Sequence, residues 1–138
     1  VDKLTPKSVR RIIACSGKVY YDLLAYRREN KISDIAIIRL EQQYPFPHAA
    51  FRAEVAHFPN AKEVVWVQEE PQNQGAWYRL RAYLRADIID KQVLAYAGRP
   101  ISASTAVGYA TKHNAEQKQL VEDAFAPTLK SGEMVVAH

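Results

Sequence analysis

The chain has a single cysteine, Cys15, among 138 residues. An intrachain disulfide is therefore excluded, and so is a metal site built from several thiolates. Cys15 ends an apolar run that begins at Val9, the usual setting of a small core residue; a nucleophile would need a base and a thiolate-stabilising environment beside it. Glycines are scarce as well, five in all, and none builds a dinucleotide or Walker A loop. Ser16-Gly17-Lys18 lacks both the earlier glycine and the following Ser or Thr that such a loop requires. There is no G-x-S-x-G elbow. The four histidines, His48, His57, His113 and His138, show no ligand spacing, and each reads as a surface or helix-packing residue. No stretch approaches the roughly 20 apolar residues of a membrane span, and the start does not read as a signal peptide. The chain opens at Val1 with no methionine, as expected of a piece of a longer protein.

Charge is plentiful but not gathered. Nineteen Lys and Arg stand against fifteen Asp and Glu, a net charge of +4. The densest basic stretch, Arg79 to Arg85, has Glu69, Glu70 and Asp87 nearby. A nucleic-acid footprint needs its basic residues on one surface, so this pattern reads as a solvated face, with neither nucleic acid nor membrane as partner.

What is present is a pattern of strand then helix, repeated four times in one domain-sized chain. Strands are expected over 9–15, 35–40, 63–68 and about 92–97. The first helix, 18–29, places Val19, Leu23 and Tyr26 on one face, and the second places Phe51, Val55 and Phe58 at i, i+4 and i+7. The third, about 76–86, aligns Trp77, Leu80 and Leu84. The fourth is expected to start near Asn114, with Gln117 completing a capping box, and to bury Leu120, Val121, Ala124 and Phe125. Pro45 and Pro47 make a stiff turn before the second helix. The strands are nearly continuous apolar runs, as in a sheet covered on both faces. The class is therefore α/β, a doubly wound, mostly parallel sheet with helices on both faces. Residues 1–8 read as a linker, 9–125 as the domain and 126–138 as a tail without clear period. The longest loop, 98–110, has the length of a functional or interface element.

Two strand-to-helix corners hold the candidate chemistry. At Ser16-Gly17-Lys18, a hydroxyl, an ammonium and the amides of a helix start could hold an anion; equally, Gly17 serves the turn, Ser16 caps the helix and Lys18 is solvated. The second corner, Glu69-Glu70-Pro71-Gln72-Asn73-Gln74-Gly75-Ala76-Trp77, follows the run Val64 to Val67. Glu69 and Glu70 could do acid–base work only if burial or mutual repulsion raised one pKa, and strand neighbours point to opposite sides. Gln72, Asn73 and Gln74 suit a hydrogen-bonded loop or a subunit contact, and Asn73 could also cap the helix. Gly75 is expected to permit a conformation or a close approach denied to other residues. The corner reads as a shaped interface more than as a self-contained active site.

Four segments carry a resemblance. They are Cys15-Ser16-Gly17-Lys18-Val19-Tyr20-Tyr21-Asp22-Leu23, Ile38-Arg39-Leu40-Glu41-Gln42-Gln43-Tyr44-Pro45-Phe46-Pro47, Val65 to Trp77, and Tyr96-Ala97-Gly98-Arg99-Pro100-Ile101-Ser102-Ala103-Ser104-Thr105-Ala106-Val107-Gly108-Tyr109. In this order they resemble the C-terminal, transketolase-like domain of the 2-oxoglutarate dehydrogenase E1 component, over roughly residues 9–125. Ile101 and Thr105 depart from it, where the family more often has alanine and proline. The resemblance implies a parent homodimer that uses thiamine diphosphate and Mg2+ to decarboxylate 2-oxoglutarate and passes the succinyl group to lipoyl-E2 in the tricarboxylic acid cycle. It would lie in the cytoplasm of a bacterium or in a mitochondrial matrix.

The family's G-D-G motif with paired asparagines is absent from these residues, and its catalytic histidines belong to preceding domains, so the resemblance implies no catalysis by this chain alone. It implies a role in assembly. In some actinobacterial members this domain also helps bind acetyl-CoA as an effector, and Ser16 and Lys18 match positions of that contact, whose partner arginines would lie outside this chain. An independent anion- or acyl-CoA-binding module is the alternative.

Overall fold

In the computed structural model, residues 4–41, 44–88, 92–99, 110–126 and 134–136 are described. The apolar runs form the strands β1 (Arg11–Cys15), β2 (Ile35–Arg39), β3 (Glu63–Pro71) and β4 (Val93–Arg99), with a short β5 (Met134–Val136). They alternate with helices α1 (Val19–Glu29), α2 (His48–Ala56), α3 (Trp77–Asp87) and α4 (Ala110–Phe125). The sheet order is β2-β1-β3-β4-β5. The first four strands are parallel, and β5 runs antiparallel to β4, with Leu94 opposite Val135.

Residues alternate across a strand, and here both sets are buried. Ile12, Ala14, Val64, Trp66, Leu94 and Tyr96 pack with Phe51 and Val55 of α2 and Trp77, Leu80 and Leu84 of α3. Ile13, Cys15, Val65, Val67, Ala95 and Ala97 face the other way, onto Val19 and Leu23 of α1 and Leu120, Val121, Ala124 and Phe125 of α4. Two-sided burial is the physical reason that the strands carry no polar alternation. Arg11, at the start of β1, is fully buried. Its Nε donates to Glu63 at 2.9 Å and its Nη1 to the Ala124 carbonyl, also at 2.9 Å, a cation at the C-terminal turn of α4.

Three boundaries differ from the sequence reading. β3 continues to Pro71 and carries the second corner with it. α4 begins at Ala110, so Asn114 lies inside the helix and no capping box forms there; the sequence before Asn114 has no apolar period to mark the start. In the tail, Met134–Val136 pairs with β4, a strand too short to show a period. At the other end, Pro6–Ser8 forms a turn of 3-10 helix and Leu4 packs against the core. The long loop falls mostly outside the described residues, at 100–109.

Candidate functional site

β1 lies between β2 and β3, so the chain leaves it in one direction and returns on its other side. Such a switch point, at the carboxyl ends of the strands, is where open α/β sheets bind ligands. Both corners singled out in the sequence meet there. Ser16 follows β1, and Gln68, Glu70, Gly75, Ala76 and Arg79 come from the end of β3 and the start of α3. With Trp66 they line a polar pocket of about 200 Å3.

The second corner is organised from within by Gln68, which is buried. Its Oε1 accepts from the Trp66 indole at 2.9 Å and from the Trp77 backbone N–H at 3.0 Å. Trp77 opens α3, so its N–H is one of the donors that a helix start leaves without a helical partner. The Nε2 of Gln68 faces the carbonyls of Glu70, Pro71 and Gln74 at 3.2, 2.9 and 2.8 Å. One side chain thus fastens the strand end, the turn and the helix start together. Asn73 does not cap α3: the N-cap is Ala76 and makes no side-chain cap bond. The turn is closed locally, Gln74 N–H donating to Pro71 at 2.9 Å, while Gln72 N–H donates to Arg99 at 3.1 Å.

Gly75 has φ +67°, and a Cβ there would come within 3.0 Å of Glu70 Cβ and 3.3 Å of Gln68 Nε2. Conformation and space both select glycine.

The two glutamates are separated by a bulge. Gln68 pairs with Gly98 and then Pro71 with Arg99, so Glu69 and Glu70 are extra residues on β3, re-aimed as bulges re-aim side chains. Glu70 lies on the pocket beside Gly75 and Arg79. Glu69 turns the other way, and its Oε1 accepts from Gln117 Nε2 at 3.0 Å. The same Nε2 reaches Asp22 Oδ2 at 2.8 Å, and Gln117 Oε1 accepts from Arg99 Nη2 at 2.9 Å. Arg99 also donates to the Glu69 carbonyl at 2.6 Å and lies 3.6 Å from Glu116. Gln117, expected as part of a cap, therefore ties β3, β4, α1 and α4 together at one end of the sheet.

The first corner is looser. Gly17 has φ +78°, with nothing within 4 Å of an added Cβ. Ser16 is half-buried and Lys18 is exposed. Ser16 does not cap α1; Lys18 occupies the N-cap position and makes no side-chain cap bond. Ser16 is thus brought to the second corner, whereas Lys18 is not among the residues lining the shared pocket.

The Cys15 thiol is buried against the Ile38 carbonyl, 3.7 Å away. Burial raises its pKa from 9.0 to about 12, only partly opposed by Arg39, so it stays a thiol at neutral pH and acts as core. His48 packs helix on helix: its Nδ1 lies 2.5 Å from the buried Asp87 of α3, with Arg52 3.5 Å from the same carboxylate. His57 is exposed and meets Phe58 edge to face. Among the described residues, no three His, Cys, Asp or Glu side chains are placed to hold a metal ion, and no helix is long and apolar enough to cross a membrane.

Sequence reading missed Gln68, Arg99 and Gln117 as the residues that hold the site. A signal existed for the first two. Gln68 is a lone amide directly after a buried apolar run, and Arg99 is a cation at the end of another, and buried polar groups require partners.

Fold and site define a doubly wound α/β domain whose conspicuous polar corner is fastened inward. The 2-oxoglutarate dehydrogenase C-terminal family model matches residues 1–125, and the chain belongs to that family. It is 57% identical over 91% of its length to a 2-oxoglutarate dehydrogenase E1 component of Cupriavidus necator, covering 13% of that protein. It is 52% identical to the E1 component of Haemophilus influenzae over 91% of the chain and 14% of that protein. A mitochondrial 2-oxoglutarate dehydrogenase of Schizosaccharomyces pombe is 43% identical over 88% of the chain and 12% of its own length. The chain thus spans about one eighth of the relatives it matches.

Proposed function

We propose that this chain is the assembly and regulatory domain, with its body at 9–125, of a 2-oxoglutarate dehydrogenase E1 component. The parent decarboxylates 2-oxoglutarate oxidatively and passes the succinyl group to lipoyl-E2. It works as a homodimer, in the cytoplasm of a bacterium or a mitochondrial matrix. The observation that carries this reading is the set of bonds made by Gln68. They turn the polar atoms of the corner inward, and the bulge sends its two carboxylates to opposite sides, so Glu69, Glu70, Gln72, Asn73, Gln74 and Gly75 act as scaffold and subunit contact.

The G-D-G cofactor motif that the resemblance calls for is absent from this sequence, and in this reading thiamine diphosphate and Mg2+ are held elsewhere in the parent. A chimera tests the proposal: this chain replaces the matching segment of the Cupriavidus necator E1 component. The chimera is expected to form dimers and decarboxylate 2-oxoglutarate, and the chain alone is expected to be inert. A folded, dimeric but inactive chimera, or turnover by the chain alone, contradicts the reading.

One observation favours a second role. The pocket at the switch point, about 200 Å3, brings the Ser16 hydroxyl and the Arg79 guanidinium together beside the Glu70 carboxylate, and a phosphate entering it would bind through the first two. Ser16 and the nearby Lys18 would contribute to an acetyl-CoA effector site completed by other parts of the parent. Calorimetric titration with acetyl-CoA separates the cases. Micromolar binding by the chain alone indicates an independent acyl-CoA module, and binding only by the chimera indicates a shared effector site.

A further inference from the structure

On the sheet face opposite the pocket's helix α3, helices α1 and α4 leave a groove of about 430 Å3 between them, a volume in the range of about 300–1,000 Å3 common for binding clefts. Its floor is apolar, built from Ala25, Tyr26 and Val121. The Tyr26 ring is held in place by stacking on Phe125, with centroids 5.0 Å apart and planes at 27°. Among the described residues that line the groove, Asp22, Glu29 and Glu122 stand against one cation, Lys118. Three carboxylates and one ammonium give a local charge of −2 on a chain whose net charge is +4.

We propose that this groove docks a basic amphipathic helix of a partner polypeptide. Asp22 and Glu29 are seven residues apart on α1, two helical turns, which places them about 10 Å apart along the axis. A helix lying in the groove meets both with Lys or Arg seven positions apart, and apolar side chains three or four residues in descend onto Ala25 and Val121. Asp22 is already oriented, because Gln117 of α4 donates to its Oδ2 at 2.8 Å. Apolar contact supplies affinity, and the acidic groups select the sign of the partner and its register.

The probe is a short synthetic helix with lysines seven positions apart around two leucines, beside a control with glutamates in place of the lysines. Binding to the 138-residue chain is followed by fluorescence anisotropy and by amide chemical shifts. Saturable binding of the lysine helix is expected, with shifts confined to residues 22–30 and 114–122. In the triple variant Asp22→Asn, Glu29→Gln, Glu122→Gln, whose fold is checked by circular dichroism, binding weakens about tenfold. A second variant, Ala25→Gln, blocks the floor and weakens binding while leaving the carboxylates in place.

Equal binding of the glutamate helix, undiminished binding by the triple variant, shifts elsewhere, or no saturable binding overturns the proposal. So does concentration-dependent self-association that the triple variant abolishes, which would make a second copy of this chain the occupant.

Discussion

Two corners stand side by side at the carboxyl end of the sheet, each handing a strand to a helix through a glycine in the left-handed region. Gly17 has φ +78° and Gly75 has φ +67°, yet their surroundings differ. Nothing lies within 4 Å of a Cβ built on Gly17, whereas one built on Gly75 comes within 3.0 Å of Glu70. At the first corner glycine serves the backbone alone; at the second it also lets Gln68 and Glu70 close over the turn. An open corner leaves room for a ligand or a neighbouring domain, and a crowded one fixes the geometry against which that partner would sit.

Breaking the locked corner has the largest expected effect. Gln68→Leu leaves the Trp66 indole N–H and the Trp77 backbone N–H without their acceptor. Each buried donor so orphaned costs about 1–3 kcal/mol, so a loss of about 4 kcal/mol is expected in urea unfolding. Gly75→Ala comes next, at about 2–3 kcal/mol, because the left-handed strain adds to overpacking against Glu70. Gly17→Ala meets only the strain and is expected to cost about 1 kcal/mol. Equal losses at the two glycines would erase the comparison.

Cys15 leads into the open corner and gives a pH-dependent readout of how tightly its strand is held. Its folded pKa, raised by burial to about 12, exceeds the unfolded 9.0. The resulting stabilisation is complete below about pH 9 and declines as pH rises from 9 towards 12, because the unfolded thiol ionises first. Wild type should therefore lose stability relative to Cys15→Ala between about pH 8 and about pH 10.5; parallel curves would contradict the burial. The smallest effect is expected at exposed Lys18, where Lys18→Ala leaves the unfolding midpoint unchanged.

The same contrast explains what could be read from the sequence. The strands and helices were legible because two-sided burial writes continuous apolar runs and helices write a period of 3.6. Gly75 was legible as a special backbone position, and strand alternation anticipated opposite directions for Glu69 and Glu70, although the structure reaches them through a bulge that no local pattern announced. The role of Gln68 was not, because its bonds reach up to nine residues along the chain and depend on a turn that no local pattern specifies. Gln117 was misread as a cap for a related reason: α4 begins at Ala110, and the sequence of its first turn has no apolar period to mark the start. β5 escaped because three residues carry no period, and its pairing is set by the edge that β4 offers.

The central claim is that the 68–77 corner is scaffold and carries no acid–base chemistry. It is tested most directly by the double substitution Glu69→Gln, Glu70→Gln in the active chimera, followed by 2-oxoglutarate decarboxylation. The expected result is a folded dimer that retains turnover, since glutamine preserves the acceptor facing Gln117. A loss of about a hundredfold or more in a folded dimer, the scale of a missing general acid or base, would contradict it.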